Sequence, residues 1–209
     1  MHEKVLTPTA RKLFPLLTRF KEFYLVGGTA LALQIGHRVS VDFDMFTEKQ
    51  LSSELLQKIK RVFQKYPIQI TYRTSFQINL IIADVKFTFF SYPYPVLDQF
   101  VMHQEVSLAN VSEIASMKAL AVGRRLAYKD YVDWYFLLKG HYVNLLTVVE
   151  HAKKKFGGDF NDRLFLGKLV SFDDVPTQQI DFLQKKVSRK TIETFIKKSV
   201  NDHLRKDPY

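Results

Sequence analysis

The sequence predicts an α+β fold in which a mixed β-sheet with flanking helices is followed by a C-terminal helical bundle. Apolar runs of strand length, bounded by turn residues, occur in the first half of the chain. From Ser112 onward, apolar residues recur instead at helical spacing. We therefore expect an α/β core over residues 1–110 and a helical region over residues 111–209.

Within the core, the first elements alternate between helix and strand. The pattern predicts a helix over residues 7–20 despite Pro15, a buried strand from Phe23 to Val26 and an amphipathic helix from Leu51 to Lys65. Three consecutive, antiparallel strands are then expected over 68–73, 76–82 and 85–92. Pro93 and Pro95 are expected to end the sheet region.

The second half predicts helices separated by turn residues. They are expected to begin near residues 111 and 129, to cover 142–156, and to cover 178–204 as one or two helices.

The segment from Phe23 to Phe46 carries the strongest functional pattern. Gly27-Gly28 ends the first strand at a tight turn, Thr29 is expected to cap a short helix, and Gly36 is expected to end it in a left-handed conformation. A helix N-terminus placed directly after a strand favours a phosphate group, because its backbone N–H groups and dipole attract anions.

Two aspartates follow on the next predicted strand. Asp42 and Asp44 alternate with Val41, Phe43 and Met45, so both carboxylates leave one face with Cα atoms about 6.6 Å apart. Carboxylates placed in this way can converge on Mg²⁺, which prefers oxygen ligands. Alone, the aspartates are more typical of a solvated strand edge, and the glycines of an ordinary turn. Their combination in one short unit favours a site for a metal-bound nucleotide.

Two blocks of sequence resemble a known family. Gly27-Gly28-Thr29-Ala30-Leu31-Ala32-Leu33, followed by the run from His37 to Phe46, resembles the AbiEii/AbiGii toxin family of nucleotidyltransferases, within the superfamily related to DNA polymerase beta. The run from Ser116 through Arg124-Arg125, and then Tyr128 to Leu138, is similar to the helical Lys and Lys-Asp-x-x-Asp motifs of that family. Together the blocks span most of residues 23–139.

The resemblance implies a nucleotidyltransferase-like fold, Mg²⁺ as cofactor and an NTP as substrate. It implies metal binding by Asp42 and Asp44 and roles in nucleotide binding or catalysis for Lys118, Lys129 and Asp130. With it, we expect catalysis to depend on Asp42, Asp44, Lys118 and Asp130, and nucleotide binding to involve a longer set of residues: Gly27, Gly28, Thr29, Arg38, Ser40 and Lys129. It also implies a toxin of a toxin–antitoxin or phage-defence system, with a possible cognate antitoxin as partner.

The later residues also have a purely structural explanation. Lys129 and Asp133 share a helix face at i and i+4 and can pair, while Asp130 lies near a helix start, where the dipole stabilises a carboxylate. Lys118 can be a solvated helix lysine or can contribute, with Arg124 and Arg125, to binding polyphosphate.

One position departs from many members of the wider superfamily, in which a neighbouring strand carries a third carboxylate. Alternation places Thr88 at that position here, and a neutral hydroxyl is a poor metal ligand. Asp84 is expected to belong to the preceding turn. Thr88 is therefore also compatible with a protein of the same fold that binds nucleotide or nucleic acid without catalysis.

Composition is consistent with a cytoplasmic enzyme that contacts a polyanion. The 209 residues carry a formal net charge of +10, which favours a nucleic acid partner, although solvated helix faces explain basic residues equally well. The absence of cysteine excludes a thiolate nucleophile and thiolate-bound zinc and favours an intracellular protein, and we find neither a secretory signal nor a membrane segment.

The sequence thus predicts a Mg²⁺-dependent enzyme that transfers an NMP from an NTP to an RNA acceptor, for example tRNA, or to a protein hydroxyl. The alternative is a non-catalytic nucleotide- or nucleic-acid-binding module.

Overall fold

The computed structural model describes residues 1–125 and 127–206. The chain forms two compact units. The N-terminal unit comprises Met1–Pro95 and Gln99–Asn110, and the C-terminal unit comprises Val96–Asp98 and the chain from Val111 onward.

The N-terminal unit combines short helices with a sheet. In chain order its α-helices and strands are α1 Pro8–Leu13, β1 Tyr24–Val26, α2 Gly27–Ile35, β2 Phe43–Thr47, α3 Leu55–Val62, β3 Ile68–Arg73, β4 Gln77–Ile82, β5 Val85–Ser91, β6 Val101–His103 and β7 Val106–Leu108. Short 3-10 helices cover Glu3–Val5 and Phe14–Arg19.

The sheet is mixed, which confirms the predicted α+β fold. Its strand order is β3-β4-β5-β2-β1-β7-β6. The pairs β2/β5 and β1/β7 are parallel, and the other neighbouring pairs are antiparallel. The consecutive antiparallel strands β3, β4 and β5 agree with the sequence pattern.

Three expectations for this unit were wrong. The first helix is interrupted near Pro15, where a 3-10 helix replaces the α-helix because proline has no N–H to donate. The helix predicted over 51–65 is shorter, Leu55–Val62. Pro93 and Pro95 do not end the sheet, because the β6–β7 hairpin joins its other side next to β1.

The central strands have one buried and one more accessible face. Phe43 and Met45 on β2, and Phe87 and Phe89 on β5, are at most 1 % exposed. Phe43 packs on Phe87 with ring centroids 5.1 Å apart. This apolar layer fixes the register of β2, because a shift by one residue would bury Asp44 and expose the aromatic rings.

The C-terminal unit is helical within its described residues. Its helices are α4 Val111–Arg124, α5 Tyr128–Lys139, α6 Leu145–Phe156, α7 Asp162–Val170 and α8 Arg189–Lys206. The sequence did not predict α7, which begins where the Asn161 side chain accepts a hydrogen bond of 2.8 Å from Leu164 N–H. The last helix begins at Arg189, later than expected.

Helix α5 is the most buried element of this unit. Trp134 and Leu137 are fully buried, and Tyr135 and Leu138 are at most 9 % exposed, so these residues pack inside the unit rather than face water. None of the helices in the described parts of the chain is long and apolar enough to cross a membrane.

The buried face of β2 should dominate the stability of the N-terminal unit. We expect Met45→Ala to lower the free energy of unfolding by about 2–5 kcal/mol, because it removes a fully buried side chain from the central sheet. Met102→Ala is the matched control, since Met102 is 59 % exposed on β6, and should change it by less than about 0.5 kcal/mol. Urea titrations followed by circular dichroism measure both, and equal effects would contradict this description of the core.

Candidate active site

Strand β1 runs directly into helix α2 at Gly27. This residue has φ +72°, a left-handed conformation that favours glycine. The helix begins three residues earlier than predicted, because Val26 rather than Thr29 occupies the N-cap position, and Thr29 lies in its first turn. Val26, at the N-cap position, provides no side-chain hydrogen bond to this helix start, and Gly36 ends the helix with φ +66°, as predicted.

The carboxylate of Asp44 lies against Gly27. Asp44 is the register partner of Val26 on β1, which places it beside the start of α2. A Cβ atom on residue 27 would overlap Asp44 Oδ2. Glycine is therefore required at position 27 for two reasons: the backbone has a left-handed conformation, and the Asp44 carboxylate occupies the space that a Cβ atom would need.

Arg38 occupies the corresponding space beside Gly28. A Cβ atom on residue 28 would lie 2.5 Å from Arg38 Nη2 and 3.2 Å from Ser40 Oγ. Arg38 is only 5 % exposed, and its Nη1 donates to the Val39 carbonyl at 3.1 Å. A guanidinium group thus adds positive charge beside a helix N-terminus.

The hydroxyl of Thr29 connects α2 to the segment that carries the first aspartate. Thr29 Oγ1 lies 2.9 Å from Ser40 Oγ and donates to the Asp42 carbonyl at 2.5 Å. Because Thr29 is 1 % exposed, its hydroxyl positions the backbone of Asp42 from inside the unit.

Asp42 and Asp44 flank the first residue of β2. The strand begins at Phe43, so Asp42 immediately precedes it rather than lying within it. Both aspartates are half-buried, while Phe43 between them faces the core. The structure therefore keeps the predicted alternation and brings Gly27, Gly28 and Asp44 together within one unit.

Thr88 occupies the position next to Asp44 on the neighbouring strand. The parallel register of β2 and β5 pairs Asp44 with Thr88, and β4 places Asn79 on the other side of Thr88. Asp84 lies in the tight turn between β4 and β5, where Ala83 and Asp84 both have positive φ. Thr88 thus places a hydroxyl beside Asp44, at the position where a third carboxylate is expected from many members of the wider superfamily.

The remaining predicted residues belong to the C-terminal unit, where α4 and α5 bring two of them together. Lys118 Nζ lies 2.9 Å from Asp130 Oδ1 and 2.5 Å from Asp133 Oδ2. Arg125 Nε donates to Asp130 Oδ2 at 3.1 Å. Lys129 is half-buried at the start of α5.

Lys118, Asp130 and Asp133 form the buried part of this ion network, whereas the side chain of Arg125 is 58 % exposed. The side chains of Asp130 and Asp133 are at most 1 % exposed, and that of Lys118 is 7 % exposed. Burial raises the pKa of the Asp130 carboxyl, but the charges of Lys118 and Arg125 outweigh it, so this pKa lies below its usual range. Asp130 is therefore held in its charged form.

A second polar cluster, which the sequence did not predict, lies in the C-terminal unit. His151 Nε2 lies 3.1 Å from Asp98 Oδ2 and 3.9 Å from Glu113 Oε1. These residue types can bind a metal ion, but Glu113 Oε1 already accepts the N–H groups of Leu97 and Asp98, and its Oε2 pairs with Lys155 at 2.8 Å. A cation here would compete with a buried ammonium group. No sequence signal links Asp98 to His151, 53 positions apart.

Solved structures define the class of fold. A Helicobacter pylori protein assigned to the nucleotidyltransferases is 18 % identical, with a TM-score of 0.58, and the match covers 96 % of this chain and 97 % of that one. MenT4, a nucleotidyltransferase toxin from Mycobacterium tuberculosis H37Rv, is 16 % identical, with a TM-score of 0.58 and coverage of 91 % and 82 %. The chain therefore has a nucleotidyltransferase fold.

Sequence comparison then identifies the family. The family model "Nucleotidyl transferase AbiEii toxin, Type IV TA system" matches residues 11–97 and 71–208. The chain belongs to this family of nucleotidyltransferases, which confirms the resemblance seen in the sequence. An uncharacterized protein from Aquifex aeolicus (strain VF5) is 30 % identical over 186 residues, which are 88 % of each chain.

The low pKa of Asp130 makes the stability of the protein depend on pH. A carboxyl whose pKa is lowered by folding stabilises the folded state above its unfolded pKa of about 3.9, and this contribution is lost as the pH falls through the folded pKa. Asp130→Asn should cost about 3–5 kcal/mol at pH 7, because it removes one partner from a buried ion network.

The variant should also lose less stability than the wild type between about pH 5 and pH 2. Urea unfolding at several pH values measures both effects. Asp174→Asn is the control, since Asp174 is exposed and should leave the profile unchanged. Parallel plots of stability against pH for the wild type and Asp130→Asn would contradict a lowered pKa of Asp130 in the folded protein.

Proposed function

We propose that this protein is a Mg²⁺-dependent nucleotidyltransferase that transfers an NMP from an NTP to an RNA or protein acceptor, acting in the cytoplasm as the toxin of a toxin–antitoxin system. The observation that supports it best is the contact of the Asp44 carboxylate with the start of α2 at Gly27, with Asp42 two residues away. A phosphate site and a metal-binding carboxylate are thereby adjacent.

The residues of the N-terminal unit fit an NTP with its metal. The triphosphate would bind backbone N–H groups of Gly27, Gly28 and Thr29 at the start of α2, where Arg38 and Ser40 lie against Gly28. Asp42 and Asp44 would hold Mg²⁺, whose preference for oxygen ligands matches two carboxylates together with phosphate oxygens. When bound, the ion stabilises charge that develops on the phosphate oxygens.

The transfer requires no covalent bond to the protein. The hydroxyl oxygen of the acceptor forms a bond to the α-phosphorus, and the bond from this phosphorus to the oxygen that bridges it to the β-phosphorus breaks. Pyrophosphate leaves, and the hydroxyl proton passes to water. The protein binds and orients the reactants and stabilises the charge.

The C-terminal unit contributes further residues to the proposal. As the family resemblance implies, we assign nucleotide binding to Lys129, and roles in catalysis to Lys118 and Asp130. The buried ion pairs fix Lys118 and Asp130 in one arrangement. A net charge of +10 favours RNA as the acceptor, and the family description supports a cognate antitoxin as partner.

A second candidate function is supported by Thr88. A hydroxyl beside Asp44 leaves fewer charged ligands for a metal ion than the three carboxylates of many members of the wider superfamily. A protein of this fold that binds nucleotide or RNA without catalysing transfer would also be compatible with a hydroxyl beside Asp44.

Substitution of Asp42 and Asp44 distinguishes the nucleotidyltransferase from the non-catalytic binding module. Purified protein is incubated with Mg²⁺, total cellular RNA and each α-labelled NTP in turn. We expect label to enter RNA or protein with the wild type and to fall by at least about 1,000-fold in Asp42→Asn/Asp44→Asn, because both metal-binding carboxylates are removed.

Asp173→Asn/Asp174→Asn is the matched control, since it makes the same change of charge at exposed positions and should retain full transfer. Folding of each variant is verified by circular dichroism. If folded wild-type protein transfers no label with any NTP but binds RNA, the binding module is the correct function.

Gly27 should be essential for activity. Gly27→Ala introduces a side chain at positive φ and into the space of the Asp44 carboxylate. Displacing this carboxylate should lower kcat/KM by about 100-fold. Gly158→Ala is the matched control, because no atom lies within 4 Å of the added Cβ and its φ is not positive. Equal activity of both variants in the labelled-NTP assay would exclude a role for the Gly27–Asp44 contact.

A further inference from the structure

Aromatic side chains lie on the same sheet face as the candidate carboxylate. Phe46 is two residues after Asp44 on β2, and Phe90 is two residues after Thr88 on β5, so each pair shares a face. The register pairs Phe46 with Phe90, just as it pairs Asp44 with Thr88. A row of aromatic residues therefore lies about 6.6 Å along the strands from the Asp44–Thr88 row.

The exposed Phe76 extends this row into an aromatic patch, which we define as Phe46, Phe76 and Phe90. The ring centroids of Phe46 and Phe90 are 5.1 Å apart, and those of Phe76 and Phe90 are 6.2 Å apart. Phe76 is 50 % exposed, and the other two rings are half-buried.

The patch stays partly accessible although two of its rings pack on a buried one: the ring centroid of Tyr92, which is 8 % exposed, lies 5.1 Å from that of Phe46 and 5.9 Å from that of Phe90. The opposite face of the same strands carries fully buried residues such as Phe43 and Phe89. Contiguous aromatic surface that remains accessible to water is typical of an interaction site.

The strand order distinguishes two sides of Asp44. Strand β2 lies between β1 and β5, so Asp44 has Val26, the residue before Gly27, on one side and Thr88 on the other. With the triphosphate at the start of α2, the leaving pyrophosphate is on the β1 side. Attacking and leaving oxygens are roughly in line, so the acceptor approaches from the β5 side, where Phe90 lies.

Charge and chemistry favour a nucleic acid on that side. Lys86 is exposed on the same face of β5, two residues before Thr88, and can contact a phosphate. Unpaired bases stack on aromatic side chains in proteins that bind single-stranded RNA, whereas paired bases cannot.

We infer that the aromatic patch binds an unpaired base next to the reacting 3′ end of a single-stranded RNA acceptor. This inference rests on the proposed function and narrows its acceptor from RNA or protein to single-stranded RNA. The rings supply stacking on any base, so the patch selects for unpaired structure rather than for a base sequence.

A binding experiment tests the patch without requiring turnover. The probe is a single-stranded RNA of roughly eight nucleotides with 2-aminopurine, whose fluorescence is quenched by stacking, near its 3′ end. We expect the wild type to quench the probe and Phe46→Leu/Phe90→Leu to bind it roughly 5- to 150-fold more weakly. The leucines keep an apolar side chain but remove the rings.

Two further variants provide a test that does not depend on folding of the double variant and a matched control. Phe76→Leu changes an exposed side chain, so it should fold even if the double variant does not, and it should also weaken quenching. Phe100→Leu is the matched control, since Phe100 is 41 % exposed but lies outside the patch, and it should quench like the wild type. Folding is followed by circular dichroism.

Parallel transfer assays with labelled NTP separate the two proposals. Transfer by the wild type without quenching, or with quenching that the patch variants leave unchanged, overturns the aromatic patch alone. Label that enters protein and not RNA also overturns it. Quenching that the patch variants abolish, without transfer to any acceptor, supports the patch and overturns the enzymatic function.

Discussion

The approach of the Asp44 carboxylate to Gly27 is the constraint on which the candidate site depends. It requires a residue without a Cβ at the junction of β1 and α2, and it requires the register that pairs Val26 with Asp44. The buried aromatic layer of β2 and β5 fixes that register, because a shift by one residue would bury the Asp44 carboxylate and expose the aromatic rings. Core packing and site geometry therefore have one physical cause.

The ion network of Lys118, Asp130 and Asp133 illustrates a different constraint. Removing three charges from water is costly, and apolar residues of similar size would often stabilise a protein as well or better. The Asp130 carboxyl remains charged because Lys118 and Arg125 keep its pKa low. An arrangement that stability alone does not require is consistent with the functional roles that the family resemblance implies for Lys118 and Asp130.

The two faces of the central sheet divide structure from function. One face is a continuous apolar layer, and the other carries a polar row at Asp44 and Thr88 beside an aromatic row at Phe46 and Phe90. Because side chains alternate along a strand, every second residue can vary with little effect on the core. A hydroxyl at position 88 is therefore compatible with an unchanged fold.

The sequence by itself determined the local elements, the position of Thr88 and the family, because strand alternation, helix periodicity and the Gly-Gly and Asp-x-Asp motifs depend on neighbouring residues. It failed at Pro15, at the start of α2 and at the β6–β7 hairpin. Only the tertiary structure decided that Gly27 accommodates Asp44, that Lys118 pairs with two aspartates, and that Asp98, Glu113 and His151 meet. These contacts join residues distant along the chain, and such contacts are set by packing, which no local pattern encodes.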